Sequence, residues 1–81
     1  MSSLKKYKDT FITSLSLDKK KFNEKLEYNQ VTEWDSIGHM TLVSDLEEAF
    51  NISFETDDII DFSSYKKGME ILKKYKINFN N

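Results

Sequence analysis

The chemistry available to this chain concentrates in one short run, Trp34-Asp35-Ser36-Ile37-Gly38-His39-Met40, where a hydroxyl, a carboxylate and the single histidine stand close together. Ser36 and His39 are three residues apart, neighbours on a helix surface, which invites a Ser-His-Asp reading. A hydrolytic triad also needs a buried acid behind the imidazole, an oxyanion hole and a substrate cleft. A chain of 81 residues built around one apolar core leaves no room for that set. The plain structural role of a serine at a helix start is an N-cap, whose loss to alanine costs ~1 kcal/mol. Asp57, Asp58, Asp61 and Glu70 fail as a calcium loop, because Ile59 falls at the third position, where a ligand belongs, and no glycine stands at the sixth. The absence of cysteine excludes disulfide frameworks, thiolate zinc sites and thiol nucleophiles, and one histidine excludes a histidine-rich metal centre. Neither a catalytic residue nor a metal site is therefore expected, and any thiol chemistry has to come from outside.

Helices must position that run. Leu4, Tyr7, Phe11, Ile12 and Leu15 recur at three and four, predicting a first helix over about 3–15. From 16 to 33 the pattern loosens into a long loop, in which Asp18 can cap a short turn and Phe22 and Leu26 act as anchors. Long loops in small domains are commonly functional or mobile. Asp35 or Ser36 caps a second helix, whose stripe is Ile37, Met40, Val43, Leu46 and Phe50 and whose stop is Asn51. Trp34 just before it reads as a core or staple residue. After an extended link through Ile52 and Phe54, Thr56 can cap a short third helix that carries Ile59 and Ile60 inward. Ser63 or Ser64 caps the last helix, with Tyr65, Met69 and Leu72 inward, lysines in its last turn to suit the dipole, and Gly68 marking a close packing contact. The expected fold is a single all-α domain over 1–81, a small four-helix bundle of three longer helices and one short one, with a long loop between the first two.

Charge is partitioned along the chain. The formal net charge of -2 conceals a middle, 33–62, with nine acids and no lysine or arginine, between two lysine-rich ends. That middle repels nucleic acid and anionic membrane and would steer a basic partner surface toward itself. No apolar run approaches the ~18 residues of a membrane span, and Met1-Ser2-Ser3-Leu4-Lys5-Lys6 leads into an amphipathic segment, so a cytoplasmic chain without membrane insertion is expected.

Asp35-Ser36-Ile37, then an apolar helix ending Leu46-Glu47-Glu48-Ala49-Phe50-Asn51-Ile52, then an acidic turn and a closing helix opened by Ser64-Tyr65, resembles the acyl carrier proteins over residues 4 to 76. The resemblance implies that Ser36, with Asp35 before it, is the attachment point of 4'-phosphopantetheine, moved from coenzyme A by a phosphopantetheinyl transferase with bound magnesium. The arm would end in a thiol that carries an acyl group as a thioester, so the protein would be a carrier and not an enzyme. Its opening Trp34-Asp35-Ser36 with His39-Met40 is most similar to stand-alone carriers of surface-polysaccharide or specialised lipid pathways.

The resemblance also implies a monomer that docks through its second helix. Asp45, Glu47 and Glu48 would meet basic patches on the transferase, an acyl ligase or synthase, a ketosynthase or an acyltransferase, while Ile37 and Met40 fill an apolar pocket. Exposed ion pairs worth ~0 to 1 kcal/mol each suit rapid release. Gly38 and Thr41 stand where fatty-acid carriers often have acids, which favours a dedicated set of partners. Leu42, Leu46, Phe54, Ile59 and Ile60 are candidates to line a space for the acyl chain, and equally ordinary core. Two alternatives stand beside this reading: an aminoacyl or peptidyl carrier, such as the D-alanine carriers of cell-wall modification, and a non-catalytic acidic interaction module in which Ser36 is only a cap.

Overall fold

The computed structural model describes residues 3–79. Among them are four helices, α1 Ser3–Ser14, α2 Ser36–Phe50, α3 Thr56–Asp61 and α4 Tyr65–Lys74, and no strand. The all-α class and the pattern of three longer helices and one short one hold. None of these helices is long and apolar enough to cross a membrane.

Helix α1 turns Tyr7 and Phe11 fully inward, with Leu15 just beyond its end, while Leu4 stays at the rim. Tyr7 stacks on Tyr65 at 4.8 Å between ring centres and donates its hydroxyl to the Tyr65 carbonyl at 2.6 Å. Burial, and then the neighbouring Tyr65, push the Tyr7 phenol well above its usual range. The chain leaves α1 through a left-handed Ser16 and runs without helix to residue 35. Asx turns fold this segment: the carboxylate of Asp18 accepts from the Lys20 amide, and the side chain of Asn23 from the Lys25 amide. Leu17, Leu26 and Trp34 are buried, and Phe22 and Val31 pack against the core. Backbone bonds then stitch the segment to the start of α4, with Tyr28 donating to the Ser63 carbonyl and Tyr65 to the Leu26 carbonyl.

Helix α2 buries Leu42, Val43 and Leu46. The stripe expected from sequence is corrected at its first two members, since Ile37 and Met40 point outward. Three residues advance a helix by 300°, so steps of three, repeated, rotate away from any one face. At the other end Asn51 is left-handed, with its amide on the Glu47 carbonyl, and stops the helix as expected.

The short helix departs further from expectation. Its N-cap position is Glu55, with no side-chain bond, and Thr56 is the first helical residue. Ile59 is half-buried and Ile60 is 73% exposed; the inward residue is Asp58, 3% exposed. Ile60 lies two residues and so about 200° round the helix from Asp58, and one face excludes the other. A buried carboxylate needs partners, and α4 supplies them: Lys74 Nζ lies at 2.5 Å from one oxygen and Tyr75 donates its hydroxyl to the other at 2.6 Å. These two bonds, Lys74 first, hold the Asp58 carboxyl below the usual carboxylate range. Lys74 thus serves a side chain besides complementing its own helix end.

Of the two serines proposed as the α4 cap, Ser64 takes the role, accepting from the Lys67 amide at 3.0 Å. Gly68 is the close contact expected: a β-carbon there would overlap the Phe62 ring and the Tyr7 hydroxyl. After α4, a left-handed Lys76 turns the chain back so that Phe79 packs edge-on against Tyr7.

Candidate functional site

Ser36 is the first residue of α2 and is exposed. The cap belongs to its neighbour. Asp35 has extended backbone, and its carboxylate accepts from the Gly38 amide at 2.8 Å, while its carbonyl accepts the first helical bond from His39. An aspartate in this position answers the unpaired amides and the positive end of the dipole together. The Ser36 hydroxyl, relieved of capping, lies 3.2 Å from the hydroxyl of Tyr28.

His39 does not turn toward Ser36. The indole N–H of buried Trp34 donates to His39 Nδ1 at 2.9 Å, and His39 Nε2 lies 2.9 Å from the Ile59 carbonyl. Nδ1 is then the acceptor, and Nε2–H donates to the Ile59 carbonyl. Both ring nitrogens are committed, so the imidazole ties the end of the long loop, α2 and α3 to one another and has no lone pair for a serine. Trp34 is fully buried, as a core residue should be.

Beside Ser36 opens a mainly apolar cleft of about 190 Å³, lined by Tyr28, His39, Ile59, Ile60, Phe62 and Ser63. Of the residues proposed to line such a space, Ile59 and Ile60 border it. Leu42, Leu46 and Phe54 are instead in the close-packed core. Tyr28 was not singled out from sequence; it sits in irregular chain eight residues before Ser36, where no periodicity marks it.

The proposed docking residues separate into two groups. Ile37 and Met40 are 79% and 57% exposed, and with Thr41, Ser44 and Glu48 they form the outward face of α2. Asp45 and Glu47 are half-buried and engaged within the chain. Asp45 accepts from the Ser14 hydroxyl at 2.7 Å, joining α2 to α1, and Glu47 accepts from the Phe54 amide at 2.7 Å, fixing the link to α3. Glu48 is the one exposed acid of the three.

Gly38 has a geometric reason. A β-carbon there would overlap the carbonyl oxygen of Glu33 and stand 3.2 Å from Leu15 Cδ2. The loop crosses the first turn of α2 at this point. Among the described residues no group of three or more histidine, cysteine or carboxylate side chains could hold a metal ion. No family model, curated protein or solved structure matches the chain.

Proposed function

We propose that this protein is a carrier that holds its cargo on a 4'-phosphopantetheine arm attached to Ser36, in a monomeric four-helix bundle working in the cytoplasm. The observation that carries this reading is the exposed Ser36 hydroxyl on the first turn of a helix that Asp35, not Ser36, caps. Such a serine is placed by the helix yet free of the capping role, with the Tyr28 hydroxyl beside it.

In the attachment step the Ser36 oxygen forms a bond to the pantetheine-side phosphorus of coenzyme A, the pyrophosphate P–O bond breaks and adenosine 3',5'-bisphosphate leaves. The hydroxyl proton passes to a base of the transferase. The arm, once attached, supplies a terminal thiol on which an acyl group travels as a thioester. Ser36 fits the new phosphodiester, since a helix N-terminus favours an anion. Asp35 keeps the turn in place, and the Tyr28 hydroxyl beside Ser36 Oγ offers a further polar contact. The outward Ile37, Met40 and Glu48 give a transferase, an acyl ligase or synthase, a ketosynthase or an acyltransferase an apolar contact with a negative charge about 12 Å further along the helix. Asp45 and Glu47 act from beneath, by bracing α2.

Incubation with coenzyme A, magnesium and a broad-specificity phosphopantetheinyl transferase should add one phosphopantetheine by intact-protein mass, and Ser36→Ala should remain unmodified. An unmodified parent protein, or a modified Ser36→Ala, ends this reading.

A further inference from the structure

A second concave surface lies on α1, on the flank turned away from α2. Helix α1 sends Thr10, Thr13 and Ser14 toward Asp45, Glu48 and Ala49 of α2, and on its other flank sends Leu4, Lys5, Lys8 and Ile12 toward Lys19 and Phe22 of the long loop. The result is a half-open groove of about 420 Å³. Its floor is apolar, made by Leu4, Ile12 and Phe22, and its rim is charged, with Lys5, Lys8 and Lys19 outnumbering Asp9. Leu4 and Ile12 are two helical turns apart, so the floor is about 12 Å long at the rise of an α-helix.

The rim is held in place. Lys8 Nζ stands 5.3 Å above the centre of the Phe22 ring, and Phe22 itself packs edge-on against Phe11 and Tyr65 in the core. Lys5 bonds Asp9 at 2.8 Å. The Asp9 carboxyl is held below the usual range first by that hydrogen bond and then by the charges of Lys5, Lys19 and Lys8. The groove therefore keeps a net positive rim around an apolar floor.

We propose that this groove docks an acidic segment of a partner protein, seating one apolar or aromatic side chain on Leu4, Ile12 and Phe22 between carboxylates that meet Lys8 and Lys19. Charge complementarity selects the acidic partner. The half-open shape selects a protein segment over a free small molecule: pockets for small ligands bury most of the ligand's surface, whereas here the partner's own body must close the top. The surface goes beyond the carrier reading and does not depend on Ser36, so a partner held there leaves the Ser36 face free for another enzyme.

The test uses the full chain, isotopically labelled, and a blocked five-residue peptide with a central phenylalanine flanked on each side by two glutamates. Amide shifts should move at Leu4, Lys8, Ile12, Lys19 and Phe22 and stay put from Ser36 to Met40. The double substitution Lys8→Glu with Lys19→Glu, both exposed positions, should weaken binding about tenfold while leaving the far-ultraviolet circular dichroism spectrum of the folded protein unchanged. A peptide with serine for the phenylalanine should bind more weakly. The proposal is overturned by an absence of shifts, by shifts on the Ser36 face, or by equal binding of the serine peptide, which would mean diffuse charge attraction alone. Phosphopantetheine transfer to Ser36 should proceed equally with and without the peptide.

Discussion

Trp34 donates its indole N–H to Nδ1 of His39 across 2.9 Å, and the two rings lie nearly parallel, 21° apart. The donor belongs to the end of the loop and the acceptor to α2, so this bond registers one against the other. His39→Phe keeps a ring of similar size but leaves a fully buried indole N–H without a partner. It should lose about 1–3 kcal/mol of stability, read by urea denaturation followed through Trp34 emission. A loss below about 0.5 kcal/mol, the usual scatter of surface substitutions, would show that the indole finds another acceptor.

Asp58 makes stability depend on acid. Its folded carboxyl titrates below the unfolded value of about 3.9, so its contribution is complete above that pH and is lost as pH falls through the lower folded value. Asp58→Asn should cost about 1–3 kcal/mol at pH 7. The gap between thermal melts of parent and variant should begin to close below about pH 4 and vanish only once the pH has passed below the folded value; a gap unchanged throughout that fall would place the effect in packing and not in the charge.

Capping and attachment should come apart under mutation. Asp35→Ala is expected to lower stability by ~1 kcal/mol. Ser36→Ala, which leaves the Asp35 to Gly38 bond in place, should alter stability by less than about 0.5 kcal/mol. Paired denaturant titrations would decide the matter. The reverse order of effects would return Ser36 to the role of a structural cap.

Gly68→Ala sets two effects against each other. Helix propensity favours alanine by about 1 kcal/mol. The added carbon, however, meets the Phe62 ring and the Tyr7 hydroxyl, both buried, and overpacking of that kind costs about 1–3 kcal/mol. A net loss is expected in chemical denaturation, together with an altered near-ultraviolet signal from the tyrosines.

Helix positions were legible because burial imposes a period, and stops and caps announced themselves at Asn51 and Ser64. What periodicity cannot express is phase in a short helix. The pair Ile59-Ile60 invited an inward reading, and the six residues of α3 are too few to fix a phase. There the pairing of Asp58 with Lys74 and Tyr75, residues distant in sequence, decided it. The same limit hid Tyr28 beside Ser36 and the commitment of Asp45 and Glu47 to internal bonds. A sequence shows that a residue is acidic; only the fold shows whether its charge still faces outward.

The carbonyl of Glu33 resting on Gly38 also constrains redesign. Installing an acid at 38 would push the loop end outward and pull on Trp34, which anchors that stretch in the core and donates to His39. A change of charge at position 38 is thus also a change of packing. Under the proposed carrier function, altering which enzymes bind would have to begin at Ile37, Met40 or Thr41, whose side chains reach solvent.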